Sequence, residues 1–313
     1  MKVGIVGSGL VGATAAYSLV MRGIGREIVL VDQDVPRAEA AAADIRHAVP
    51  FSHPLEVHAG GYEDLRDSCV VLLCAGVGTQ TGESRLNLLS RNAKVFREVI
   101  PRVLAAAPDA IMVVATNPVD VMTHLTASIA SAQGCAPGRV LGSGTTLDTA
   151  RFRSVLGLHC GIDARHVHGD VIGEHGDSEV FAWSLVTVAG MALERFAHLR
   201  GAIMSDEVRQ DVEHQVRKAA LAIKKGKGST CYGIGCVLAH ITAVILQDQR
   251  SLMTVCAPID EILDVPDVTL SLPRLVGGSG VMETFRPSLT DRETSMLRHS
   301  AKVLRGAIGE LEK

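Results

Sequence analysis

His175 stands between Gly173 and Gly176 in the segment Gly173-Glu174-His175-Gly176-Asp177-Ser178-Glu179. Asp148 and Arg151 lie three residues apart in the run 142–153, and Arg85 follows the glycine-bounded run 76–82. An imidazole serves as acid and base near neutral pH, and a carboxylate beside it fixes its tautomer and stabilises its charged form. A planar guanidinium matches a carboxylate oxygen for oxygen. Such a set suits hydride transfer to a ketone that carries a carboxylate. One Arg would hold the carboxylate, a second would polarise the ketone, and the His would supply the proton. Spacing alone does not make these groups converge. Arg85 also fits a surface salt bridge, Arg151 a helix ion pair with Asp148, and His175 an ordinary turn. His166 and His168 sit two apart on a strand-like run and could mimic metal ligands. No further ligand stands at useful spacing, so no metal is expected.

A hydride needs a carrier. Gly7-Ser8-Gly9-Leu10-Val11-Gly12 is a GxGxxG pattern between the strand-like Val3–Val6 and a helical stretch from Val11 to Arg22. Asp32 ends the next strand-like run at the expected offset of ~20 residues. Gly7 suits the tight turn, Gly9 close approach to a pyrophosphate, and Gly12 close packing of helix on strand. The free N–H groups and partial positive charge of the helix N-terminus suit phosphate. A carboxylate at 32 would bond ribose hydroxyls and repel a 2′-phosphate, favouring NAD over NADP. A flavin or S-adenosylmethionine site could share this first unit.

The elements that must position these groups alternate. Strand-like runs at Glu27–Val31, Leu55–His58, Val70–Cys74, Ile111–Ala115 and Arg139–Leu141 are separated by helical stretches at Pro36–His47, Ser84–Ala106 and Val119–Ala130. Pro101 is expected to kink or divide the long one. This rhythm predicts a Rossmann-type doubly wound parallel sheet over residues 1–142. Residues 143–313 read as a mixed α+β catalytic domain. Its expected helices are Leu147–Leu156, Ser205–Lys224, Tyr232–Gln247 and one from Asp291. Its expected strands are Val167–Ile172, Val180–Val186, Leu252–Val255 and Val268–Leu272, and a cleft is expected between the halves.

Composition narrows the classes. With 313 residues, 47% hydrophobic and only 3% aromatic, the core must be aliphatic, as a covered parallel sheet requires. A formal charge of −3 without long runs of one sign argues against nucleic acid and anionic membranes. The seven Cys form no CxxC pair and read as buried, reduced thiols. No apolar stretch reaches the ~18 residues of a membrane span. The N-terminal run is broken at Gly4, Gly7 and Gly9, which predicts no export signal and a cytoplasmic protein. No arm precedes the first strand, so any assembly is expected to use core surfaces.

Beyond these readings the chain resembles the bacterial L-lactate dehydrogenases of the lactate/malate dehydrogenase superfamily. The likeness runs over nearly its whole length, through GSGLVG, VLVD, GESRLNLLSRN, ATNPVD, GSGTTLDTARFR, GEHGDSE, STCYGIG and LSLPRLVG. It implies that His175 is the catalytic acid/base and Asp148 its orienting carboxylate. Arg151 would clamp the substrate carboxylate. Arg85 would polarise the carbonyl when a lid, Gly76–Gly82, closes and excludes water. Asn117 and Thr230 would contact substrate, and Ile234 would pack on the nicotinamide. Val11, Asp32, Arg37, Gly76, Val77, Ala115, Asn117 and Ser143 would line the cofactor. The product would be an L-2-hydroxy acid in glycolytic or fermentative metabolism. Arg153 and His168 match positions that bind fructose 1,6-bisphosphate in allosteric members, although an ordinary interface pair explains them equally. A homotetramer is implied.

One position departs from the pattern. Six residues before the loop arginine, lactate-type members carry Gln and malate-type members Arg; here it is Thr79, with Gln80 beside it. No cation lies within residues 76–84, so a second substrate carboxylate would lack a partner. Burying it unpaired costs several kcal/mol, very roughly. Pyruvate, or a slightly larger aliphatic 2-oxo acid, is therefore expected rather than oxaloacetate. Gln80 could instead take the role by a shift of the lid. The rivals are a malate dehydrogenase and a non-catalytic NAD-binding protein. The second is disfavoured because His175, Asp148, Arg151 and Arg85 are all present.

Overall fold

A computed structural model describes residues 1–78 and 85–311, without the side chains of Arg85 and Leu86. Strands β1 (Lys2–Val6), β2 (Glu27–Val31), β3 (Glu56–Ala59), β4 (Ser68–Leu73), β5 (Ile111–Val114) and β6 (Val140–Gly142) alternate with helices α1 (Leu10–Met21), α2 (Val35–Arg46), α3 (Arg85–Ala106) and α4 (Val119–Ala132). These strands lie parallel in the order β6-β5-β4-β1-β2-β3, the doubly wound arrangement with its switch point between β1 and β4. Val, Ile and Leu fill both faces: β4 buries Val70, Val71, Leu72 and Leu73 completely. α3 carries Pro101 without dividing.

The second half begins with α5 (Thr146–Cys160) and short strands β7 (Val167–His168), β8 (Val171–Ile172), β9 (Val180–Phe181), β10 (Thr187–Val188) and β11 (Met191–Ala192). Helices α6 (Leu193–Arg200), α7 (Asp206–Lys227) and α8 (Tyr232–Leu246) follow. Then come β12 (Ser251–Met253), β13 (Cys256–Ile262), β14 (Val265–Ser271), β15 (Arg274–Gly277), β16 (Gly280–Thr284) and α9 (Asp291–Leu311). The main sheet does not stop at β6. The hairpin β13–β14 joins it antiparallel through Cys256 opposite Gly142, giving eight strands. α8 packs on α1 so closely that a Cβ on Gly235 would lie 2.6 Å from Thr14 Cγ2.

Several expectations change. The strand expected over Val180–Val186 is two residues long, because the chain turns into a 3-10 segment at Trp183–Leu185. His166 ends a 3-10 turn, so it and His168 do not share a strand face. Of the seven free cysteines, Cys160, Cys231 and Cys256 are buried, while Cys69 and Cys236 are exposed. Cys69 is the extra residue of a bulge, since Lys2 pairs Ser68 and Val3 pairs Val70. Among the described residues no helix is long and apolar enough to cross a membrane.

Candidate active site

The loop from β1 to α1 has the geometry its glycines require. Gly7 has φ +100°, and a Cβ there would strike the Ala75 backbone. A Cβ on Gly12 would strike the Gly7 carbonyl oxygen, so only glycine lets α1 approach β1 this closely. A Cβ on Gly9 would meet nothing within 4 Å, so space is open before the helix N-terminus. No side chain caps α1 and no acidic residue lies in its first turn, which leaves its N–H groups available to phosphate. Asp32 accepts hydrogen bonds from Ser8 N (2.7 Å), Ser8 Oγ (2.9 Å) and Asp34 N (3.0 Å). Burial opposes its charge, but these bonds and Arg37 hold its carboxyl below the ordinary range. Arg37 is exposed and paired with Asp34 at 2.9 Å. These residues fit a dinucleotide with free ribose hydroxyls.

The far side of the switch point is tied together by a residue the sequence reading overlooked. Asn92 of α3 is 1% exposed. Its Oδ1 accepts Val77 N–H at 2.8 Å, and its Nδ2 donates to the Asn117 carbonyl at 3.0 Å. Gly76 sits beside it, with room for no Cβ between Thr116 and Asn92. Thr116 Oγ1 donates to the Ala75 carbonyl at 2.7 Å. Ala115 and Ser143 close the ends of β5 and β6 through bonds to Leu73 O and Val114 O. Thr79 lies outside the described residues; α3 begins at Arg85, whose side chain is likewise not described.

The chemistry-bearing groups come from α5 and the loop after β8. Buried threonines fix their relation. Thr145 Oγ1 donates to Val171 O at 2.5 Å, Val171 N donates to Thr149 Oγ1 at 3.0 Å, and Thr149 meets Thr254 at 2.9 Å. Asp148, 3% exposed, faces inward from the first turn of α5. Its Oδ2 lies 2.5 Å from His175 Nδ1, and its Oδ1 accepts from Arg151 Nη1 at 2.9 Å. Burial opposes ionisation of Asp148, but His175 and Arg151 hold its carboxyl below the ordinary range. Burial lowers the His175 imidazole, yet the charge and hydrogen bond of Asp148, with Asp120 and Glu179, raise it to about 9. The ring keeps 27% of its side-chain surface exposed, so its outer edge is accessible. Nδ1 is committed to Asp148, leaving Nε2 to exchange a proton with a ligand.

Gly173 permits the turn into this loop with φ +87°, and Ser300 of α9 accepts Glu174 N–H at 2.8 Å. Glu174 in turn accepts from Ser178. Two further carboxylates stand near His175 and were not among the expected site residues. Asp120 accepts the His175 main-chain N–H at 2.8 Å, and buried Glu179 lies 3.7 Å from Arg217. Both carboxyls are raised by burial, Asp120 to about 6.

Thr230 and Ile234 are half-buried at the start of α8, and a Cβ on the intervening Gly233 would lie 3.0 Å from Leu147, beside Asp148. Val11 is half-buried on α1. Arg153 points elsewhere: it donates to Gly169 O and Asp170 Oδ1, both at 2.9 Å. His168 is exposed on β7, opposite Thr187.

A dinucleotide-binding sheet joined to an imidazole held by a carboxylate, with a guanidinium on that carboxylate's other oxygen, defines a Rossmann-type dehydrogenase. Comparison with known proteins agrees with that class. The lactate/malate dehydrogenase NAD-binding domain matches residues 1–142, and the lactate/malate dehydrogenase alpha/beta C-terminal domain matches residues 145–313. The chain belongs to the lactate/malate dehydrogenase family, and is an NAD-dependent oxidoreductase of it. It is 58% identical to an L-lactate dehydrogenase of Geotalea daltonii over 308 residues, 98% of each chain. It is 50% identical to that of Thermus aquaticus over 311 residues, 99% of each. Among solved structures, the ligand-bound minor L-lactate dehydrogenase of Enterococcus mundtii superposes with a TM-score of 0.93 at 36% identity, covering 98% of this chain and 97% of that one.

Proposed function

We propose that the chain is an L-lactate dehydrogenase that reversibly reduces pyruvate, or a slightly larger aliphatic 2-oxo acid, to the L-2-hydroxy acid. The observation that carries this reading is the 2.5 Å contact of His175 Nδ1 with Asp148, whose other oxygen holds Arg151. The names of the full-length relatives support the substrate class. Residues 1–142 form the cofactor-binding unit and residues 143–313 the catalytic unit. Gly7, Gly9, Gly12, Val11, Asp32, Arg37, Gly76, Val77, Ala115, Asn117, Ser143 and Ile234 would hold NAD, which when bound would supply or take up the hydride.

The chain's own residues do the rest. Arg151 receives the substrate carboxylate on its planar fork. His175, protonated at neutral pH, donates its Nε2 proton to the ketone oxygen as negative charge develops there. Asp148 keeps the imidazole oriented and its positive charge stabilised. Asn117 and Thr230 contact the substrate, and Arg85 polarises its carbonyl. In the reverse direction neutral His175 takes the hydroxyl proton. Thr79 would border the substrate side chain and offers no charge to a second carboxylate. NADH absorbance with a panel of oxo acids tests this: kcat/KM for pyruvate or 2-oxobutyrate is expected to exceed that for oxaloacetate. A clear preference for oxaloacetate would overturn the substrate assignment, and a dead panel with intact NADH binding would favour a sensor.

The same reading places the enzyme in the cytoplasm as a homotetramer, with Arg153 and His168 receiving a phosphate of fructose 1,6-bisphosphate. Asp170 now neutralises Arg153, so a phosphate would have to displace it. Rate curves against pyruvate are expected to shift to lower concentration with the bisphosphate. Superimposable curves would remove the effector site.

A further inference from the structure

Among the described residues, Arg274 of β15 is the largest side chain that is fully buried, at 1% exposure. No carboxylate compensates its charge there. Nη1 donates to Thr284 Oγ1 at 3.1 Å, and Nη2 donates to the carbonyls of Ala257 at 2.8 Å and Leu270 at 3.3 Å. Nε has no partner among the described residues. All three acceptors are neutral. The ionisable group that acts on the guanidinium is the Cys256 thiol, which burial keeps un-ionised. Burial lowers Arg274 to about 10, so it stays charged at neutral pH. A buried charge without a counter-charge is costly, and an anion from solution would relieve that cost.

Arg274 lines a half-open cleft of about 740 Å³ between the C-terminal half of α4, the hairpin β13–β14 and strands β15 and β16. That volume is typical of small-molecule sites. No residue assigned to cofactor or substrate lines it, so it is separate from the catalytic site. Asp260, Asp267 and Glu283 also line it, and all three are exposed. Asp267 pairs with Arg305 at 3.6 Å, whereas Asp260 and Glu283 make no ion pair among the described residues. Val140, Val281 and Met282 add apolar wall. The cleft therefore carries a cation on its inside and carboxylates on its outside. A phosphate would be repelled by the outer carboxylates, and a simple amine would leave Arg274 uncompensated. A ligand bearing both signs satisfies both ends.

We infer that this cleft binds a free amino acid with an apolar side chain, its carboxylate directed at Arg274 and its ammonium at Asp260 and Glu283. The Thr284 hydroxyl is a neutral acceptor, and a carboxylate bonds a guanidinium more strongly, so the ligand displaces it.

Isothermal titration with L-leucine, the catalytic site being filled with NADH and oxamate, tests the inference. Saturable binding is expected, about tenfold tighter than that of 4-methylpentanoate, which lacks the ammonium, or of 3-methylbutylamine, which lacks the carboxylate. Arg274→Gln and Glu283→Lys are each expected to weaken leucine binding about tenfold or more. Both should leave kcat/KM for pyruvate within about twofold, since neither residue touches the catalytic site. Glu283 is exposed, so its variant carries the test should Arg274→Gln fail to fold. No heat from leucine, leucine bound no better than either fragment, or undiminished binding in a folded variant overturns the inference.

Discussion

His175→Asn is expected to slow pyruvate reduction by about 10²- to 10⁴-fold while NADH binds as before. The amide resembles the imidazole in size and can still donate to Asp148, so the loop after β8 keeps its bonds to Ser300 and Asp120. What is lost is a group that gives and takes a proton. The effect has a pH signature. Burial works against the imidazolium, and Asp148 more than compensates, raising the group from its ordinary 6.5 to about 9. Reduction needs the protonated form, so its rate should hold at lower pH and fall as pH rises through about 9. Oxidation of the hydroxy acid needs the neutral form and should rise over the same range. Stability follows the same sign. Because the folded value lies above the unfolded one, the contribution is complete below pH 6.5 and is lost between there and about 9. Stopped-flow rates, NADH titration and thermal melts across this range check all three. Undiminished turnover in the Asn variant would end the mechanism.

Arg151→Lys is expected to raise KM for pyruvate sharply, with kcat/KM falling roughly 30- to 5,000-fold. Disrupting a buried charge pair costs about 2–5 kcal/mol, and each 1.36 kcal/mol is tenfold in rate. Arg151 is 16% exposed in its side chain and already bound to Asp148 through one amine. An ammonium can keep that ion pair, but it cannot present two parallel N–H groups to a carboxylate. The loss should therefore appear mainly in KM, with the His175 pH limb little changed. Arg151→Gln removes the charge as well and is expected to move the limb, since Asp148 then has His175 as its remaining partner among the described residues. An unchanged KM for pyruvate in the Lys variant would show that the carboxylate docks elsewhere.

Much of the fold was legible because its signals are short-range. Gly7, Gly9, Gly12 and Asp32 lie within one βαβ unit; a Cβ would be obstructed at Gly7 and Gly12, and the Asp32 carboxylate accepts from Ser8 in the same loop. The runs that became β1, β2, β4 and β5 are apolar on both faces, as buried parallel strands must be. β13 was missed for the opposite reason. Pro258, Asp260 and Glu261 spell a loop, but only Cys256 pairs with β6, so the rest of that edge tolerates residues without a ladder role. The residue types of Asp148, Arg151 and His175 pointed to their chemistry. Their convergence, across 27 residues from Asp148 to His175, was supplied in advance only by resemblance. Asn92 and Asp120 were invisible for a different reason. Each holds a backbone group of a distant segment, and no local pattern records which N–H a side chain will meet. Arg153 shows the converse, since its residue type suggested a phosphate ligand while its guanidinium is engaged by Asp170.

The junction at Gly142 has a mechanical corollary. Cys256 pairs with Gly142, a Cβ on Gly144 would collide with Ser271 and Cys256, and α8 is pressed into α1 at Gly235. Two bodies welded along a shared sheet edge and a helix pair have no pivot between them. Admission of substrate must then come from local rearrangement rather than from one lobe swinging over the other. The radius of gyration in small-angle scattering should accordingly stay constant, at fixed oligomeric state, when NADH and an inert oxo-acid analogue such as oxamate are added.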